Sequence, residues 1–185
     1  MQRMPYPDLS KHTKPVQEMI EGAKVNAVRM MGHASPEVFS NFSKFASAIF
    51  VKSPLPADLR QIGILRAGYI AKATYETTQH ESVAKKVGLS DAQIAAIKKG
   101  GQHPGVFNAT QQAVLDFVEE FIVNVRPSDA TLANVRKHLT DEQLTDLMFV
   151  TGVYMTVSRF LETTGVPLDE TLINIDLVTK TAHSL

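Results

Sequence analysis

The chain has 185 residues, 44% apolar and 21% charged, with 19 basic and 19 acidic side chains and no net charge. A chain of this length can bury about 70% of its unfolded surface without help from a metal or disulfide. The balanced charge gives no electrostatic footprint for nucleic acid, and the absence of cysteine excludes disulfides, thiolate metal sites and thiol redox chemistry.

No run approaches the ~18 apolar residues of a bilayer span. The opening residues, MQRMPYPDLSKHTKP, lack the apolar core and cleavage site of an export signal. The expectation is a cytoplasmic protein with no membrane or nucleic-acid partner, and its neutrality permits self-association.

Turn pairs such as Asn-Gly and Asp-Gly are missing, and apolar spacing is helical almost throughout. Residues 1–14 read as an irregular arm. A helix is expected from Pro15 to about Met31, with Met19, Ile20, Ala23, Ala27 and Met30 as its stripe. Ser35-Pro36-Glu37 then reads as a cap, a first-turn proline and a dipole-matched carboxylate, opening a helix with Phe39, Phe42, Phe45 and Phe50. After Ser53-Pro54-Leu55-Pro56, a long periodic run extends from Ala57 to Val87, with a break near Lys72–Thr74.

Ser90-Asp91-Ala92-Gln93 is a capping box for a short helix through Ile97. Gly100 to Gly105 is a loop, and the next helix starts at Asn108 or Thr110. Arg126-Pro127-Ser128 turns a corner into a short helix from Asp129 to about His138. A second capping box, Thr140 to Gln143, opens the last helix, which runs to about Thr164. The chain therefore reads as all-α, with an arm at 1–14, one helical domain at 15–168 and a tail at 169–185.

Within the long run, Glu76 and His80 stand four residues apart and share a helix face. A carboxylate beside an imidazole can orient one ring nitrogen and leave the other to exchange a proton. The same spacing also suits a solvated surface pair or a buried structural pair. Ala73 lies on the same face and leaves room beside them. Two side chains do not make a metal site, and six scattered histidines do not add one, so no metal is expected.

The stretch Arg60-Gln61, the apolar run to Ala71, then Ala73-Thr74-Tyr75-Glu76-Thr77-Thr78-Gln79-His80 resembles the carboxymuconolactone decarboxylase family, which includes the AhpD-like alkylhydroperoxidases. The likeness continues through Ala84–Ile97 and Leu144–Tyr154. It implies an AhpD-like helical bundle, oligomeric, as trimers or hexamers. It also implies His80 as the acid/base and Glu76 as its orienting partner. The peroxidase branch carries two cysteines where this chain has Ala73 and Glu76, so thiol peroxidase chemistry is excluded. Many relatives carry a glutamate where this chain has Gln61, and an amide does not relay a proton at pH 7.

What the resemblance leaves is a decarboxylase-like lyase acting without cofactor on a small carboxylated lactone or related acid from aromatic-compound catabolism. A non-catalytic ligand-binding or structural oligomer of the same fold is the alternative. Arg66 and Arg159 sit in apolar helices and are candidates for holding a substrate carboxylate; each also suits a structural ion pair. Tyr75, Tyr154 and Gln61 are candidates for lining the pocket with Ala73, and the tyrosines equally suit plain core packing.

Overall fold

The computed structural model describes residues 2–172, and every regular element among them is helical. The expected apolar stretch to Leu177, in the tail, lies partly outside the described residues. The chain's contacts fall into two compact units, one running from Ser53 to Arg159 and one built from the segments before and after it.

In the flanking unit, α1 spans Lys14–Ala23, α2 Asn26–Met31 and α3 Pro36–Val51. The single helix expected from Pro15 to Met31 is two helices. Lys24 takes a left-handed conformation (φ 51°) and Val25 is extended. Gly22 and Val25 are weak helix formers, and the new helix start finds a distant acceptor. Val25 has no capping oxygen, so the Asn26 N–H donates instead to Asp169 Oδ1 at 2.7 Å. The sequence places no such partner nearby. Ser35 occupies the cap position of α3 as expected, but its hydroxyl makes no capping bond; Pro36 alone pre-sets the first turn.

The arm is more ordered than its sequence suggests. Leu9–Lys11 form one 3₁₀ turn, capped by Asp8. Arg3 and Met4 donate their backbone N–H groups to Thr164 O. His12 is buried and lies 2.8 Å from Gly32 O through Nε2.

In the Ser53–Arg159 unit, α4 (Ala57–Ile70) is the central element. Its residues from Leu59 to Gly68 are all buried, and it packs on α5 (Thr74–Lys86), α6 (Asp91–Lys99) and α7 (Ala109–Val123). A helix buried all round needs apolar side chains on every face, and Leu59, Ile62, Ile64, Leu65 and Ala67 supply them. Each fully buried leucine or isoleucine contributes about 1.5–3 kcal/mol through burial. α8 (Asp129–Val135) packs on α7, and α9 (Asp141–Thr164) belongs to this unit as far as Arg159.

Helix starts follow local chemistry. The Ser90–Gln93 box is present in both directions, and Thr140 and Gln143 exchange the same pair of bonds. The ambiguous start at Asn108 or Thr110 resolves to Asn108, because Gln111 completes a third reciprocal box there.

The expected break between α4 and α5 is a Schellman turn. Lys72 adopts φ 55°, its N–H donates to Tyr69 O, and the Ala73 N–H donates to Gly68 O. This tight reversal folds α5 back along α4, which is how residues 61 and 80 come together.

α9 lies close to α4 where Gly63 has no side chain: a Cβ there would stand 3.0 Å from Thr151 Oγ1. Thr151 is fully buried and its hydroxyl has no hydrogen-bond partner. Burying such a group without a partner costs about 1–3 kcal/mol. Thr151→Val keeps the shape and removes the orphan, so it is expected to stabilise the protein by about 1 kcal/mol. Urea denaturation should show a higher midpoint with an unchanged slope; a lower midpoint contradicts this packing.

Candidate functional site

The first two turns of α4 carry Arg60 and Gln61, α5 carries Glu76 and His80, and α9 carries Tyr154. Arg60, Gln61, Glu76 and His80 are all buried, with Gln61 1% and Glu76 3% exposed. Tyr154 is part-buried.

His80 is the hub. Its Nδ1 lies 2.9 Å from Gln61 Oε1 across the α4–α5 pairing. Its Nε2 lies 3.0 Å from Glu76 Oε1, the i,i+4 partner. That second contact is oblique: the carboxylate oxygen is close enough for ionic attraction but off the line of a straight hydrogen bond. Glu76 therefore acts on the ring mainly through charge. The Tyr154 ring meets the imidazole edge-on, with centroids 4.9 Å apart, a favourable arrangement for aromatic quadrupoles.

Gln61 suits either charge state of the ring. When its Oε1 faces Nδ1, that nitrogen carries the hydrogen. With the amide turned over, its NH₂ donates to a bare Nδ1. When both ring nitrogens are protonated, Gln61 accepts at one and Glu76 balances the charge at the other. When the ring is neutral with its hydrogen on Nε2, Gln61 donates. An imidazole with an amide that can accept or donate at one nitrogen and a carboxylate beside the other is a workable acid/base.

Two further groups feel this pair. Burial pushes the Tyr154 hydroxyl well above the ordinary phenol range; the Glu76 charge adds to the rise and the Arg60 guanidinium opposes it. Burial in turn lowers the Arg60 pKa, against the influence of Tyr154. The hydroxyl of this part-buried residue thus feels one cation and one carboxylate.

Glycine shapes the crossing. A Cβ on Gly68 would stand 3.0 Å from Thr77 Cγ2 and 3.4 Å from Glu76 Cγ, so the helix bearing Glu76 approaches α4 closely enough that an added methyl would need Thr77 to shift slightly.

The other candidates fall elsewhere. Arg66 is buried, but its Nη1 donates to Ile97 O and Lys98 O and its Nη2 pairs with Glu119 at 2.9 Å. It closes the end of α6 and holds it to α7. The Gly100–Gly105 loop begins against that guanidinium. Arg159 is exposed and donates to Met155 O on its own helix. Ala73 is the cap residue of α5, and its carbonyl accepts from the Thr77 N–H and hydroxyl. Tyr75 is buried on α5, next to Glu76 in sequence.

Arg60, which sequence reasoning passed over, is the arginine in the cluster. The argument that selected Arg66, a cation inside an apolar run, applies equally to Arg60. Its adjacency to Gln61 is the further signal that would have distinguished it. Among the described residues no three His, Asp or Glu side chains are grouped to hold a metal ion, and no helix is long and apolar enough to cross a membrane.

The carboxymuconolactone decarboxylase family model matches residues 36–119. No curated protein matches the chain. Among solved structures, the chain is similar to a protein of unknown function from Agrobacterium tumefaciens, described as a putative antioxidant defence protein AhpD. That match has 21% identity and a TM-score of 0.67, and covers 74% of this chain and 93% of that one. It is also similar to an alkylhydroperoxidase AhpD core, an uncharacterized peroxidase-related protein, from Ralstonia eutropha JMP134. Here identity is 16% and the TM-score 0.74, over 98% of this chain and 96% of that one. At these identities the likeness establishes a shared fold. The segment 36–119, which carries Gln61, Glu76 and His80, thus matches the carboxymuconolactone decarboxylase family model, in a chain with an AhpD-like helical fold and without cysteine.

Proposed function

We propose that this protein is a proton-transfer lyase that removes CO₂ from a small carboxylated lactone or a related acid of aromatic-compound catabolism. The observation that carries this reading is the buried imidazole of His80, held between the Gln61 amide at 2.9 Å and the Glu76 carboxylate at 3.0 Å. Loss of CO₂ leaves a carbanion or dienolate that must be protonated, and a positioned imidazolium is a suitable donor. A buried setting favours departure of a carboxylate as neutral CO₂.

In this reading His80 is the acid/base, Glu76 places a carboxylate beside its Nε2 and Gln61 fixes the ring. No cofactor or metal enters the step. Thiol peroxidase chemistry does not apply, because it needs a thiolate and the chain has no cysteine. We assign the protein to the cytoplasm as a homo-oligomer, a trimer or hexamer, on the resemblance alone.

Gln61 favours a second reading, a small-ligand-binding or structural oligomer that has kept the fold without the reaction, since an amide stands where many relatives carry a carboxylate. A panel of unsaturated lactone acids and β-keto acids, followed by CO₂ release, separates the two. Turnover of at least one member above the uncatalysed rate is expected. Saturable binding of panel members with no turnover would establish the second reading instead.

A further inference from the structure

The pairing of His80 with Gln61 joins two helices, so its 2.9 Å depends on how closely α5 lies on α4. Residues seven apart share a helix face, which puts Gly68 on the side of α4 that carries Gln61. Residues three apart do the same, which puts Thr77 beside His80 on α5. Gly68 and Thr77 meet at the crossing. A Cβ built on Gly68 stands 3.0 Å from the Thr77 methyl, nearer than the Glu76 stem at 3.4 Å. The Gly68 carbonyl also accepts the Ala73 N–H at 2.9 Å, so this glycine anchors the turn that sends α5 back along α4.

The Thr77 methyl is aimed by its own hydroxyl. Thr77 Oγ1 donates to Ala73 O at 3.1 Å and stands 3.3 Å from Thr74 O. Threonine in a helix divides between two rotamers, and a bond back to the preceding turn selects one. One rotamer leaves one place for the methyl, and that place is against Gly68. Glycine has no side chain to give way, and the backbone of a close-packed, buried helix yields little. Thr77 is thus a stop between the two helices, one residue from Glu76 and one turn from His80. Resting on the proton-transfer reading above, we infer that Thr77 is a positioning residue: its methyl, seated on Gly68, sets the helix spacing at which His80 Nδ1 meets Gln61.

NMR of protein labelled with ¹⁵N-histidine reads the pairing directly, with the His80 Nδ1 shift in Gln61→Ala as the value for a lost partner. Thr77→Ser keeps the hydroxyl bond and removes the methyl, and its Nδ1 shift should move toward the Gln61→Ala value. Thr77→Val keeps a methyl on Gly68, because valine in a helix holds one strongly preferred rotamer, and its shift should match wild type. Gly68→Ala combined with Thr77→Ser returns a carbon to the same gap, so the shift should come back toward wild type. A residue that only stabilised the fold would lower the urea midpoint in Thr77→Ser and leave the Nδ1 signal where it was. That result overturns the inference. So does a Thr77→Val signal displaced as far as that of Thr77→Ser, or a double variant that stays displaced.

On an acid that the wild type decarboxylates, Thr77→Ser should lower kcat about tenfold, short of the roughly hundredfold loss that follows a 1 Å misplacement, with KM little changed. An unchanged kcat also overturns the inference. If Nδ1 moves as expected but no acid loses CO₂, the lyase reading fails and the spacing role stands. If CO₂ is released and Nδ1 ignores Thr77→Ser, the inference fails and the lyase reading stands.

Discussion

Replacing His80 with glutamine is expected to lower kcat for CO₂ release by about 10²- to 10⁴-fold, or about 3–5 kcal/mol of barrier, with KM within a few-fold of wild type. Glutamine keeps a polar group beside Gln61 and fills much of the ring's space, so the protein should remain folded. What it removes is the ability to carry a proton. Because Gln61 can accept from or donate to the ring and Glu76 places a negative charge beside it, the proposed site can accommodate a proton that comes and goes. Glu76→Gln keeps the shape and removes only the charge. Its loss should be smaller, about ten- to a hundredfold, the scale of one charge-assisted contact. Steady-state kinetics on any acid turned over by the wild type checks both. A His80→Gln enzyme with wild-type kcat would remove His80 from the mechanism.

Gly68→Val is expected to cost stability and disturb the site together. Two effects oppose each other at this position. Within a helix, replacing glycine by alanine gains about 1 kcal/mol of propensity, and a single Cβ at 3.0 Å from Thr77 Cγ2 requires only a small shift. Alanine should therefore be close to neutral. Valine gains less propensity and adds two methyl groups to a crossing already at van der Waals contact. Over-packing of this kind typically costs about 1–3 kcal/mol. The strain falls on Thr77 and Glu76, the nearest side chains, so the carboxylate should move relative to His80. Urea denaturation of the two variants checks the ranking, with alanine near wild type and valine well below. Equal midpoints for valine and wild type would mean that the α4–α5 crossing is looser than described.

Much of this was legible in local sequence because the responsible interactions are local. Capping boxes at Ser90 and Thr140 span three residues, and the Glu76–His80 pair spans one helix turn. The break near Lys72 was legible as a disturbance in the apolar run, although its left-handed lysine was not. Features set by distant partners were hidden. Nothing near Asn26 predicts a helix start whose acceptor is Asp169, 143 residues away. Gln61 entered the expected site through family likeness, whereas its contact with His80 depends on α5 folding back along α4. Arg66 and Arg60 show the same limit: both are cations in one apolar helix, and only tertiary packing sends Arg66 to the end of α6 and leaves Arg60 buried elsewhere.

The account rests on His80 being a buried hub with a different partner at each ring nitrogen. The most direct measurement is two-bond ¹H–¹⁵N NMR of protein labelled with ¹⁵N-histidine, with the His80 signals identified by their loss in His80→Gln. The Nδ1 shift should move in Gln61→Ala and the Nε2 shift in Glu76→Gln, each variant acting chiefly on its own nitrogen. Signals that ignore both substitutions would contradict the account at its centre.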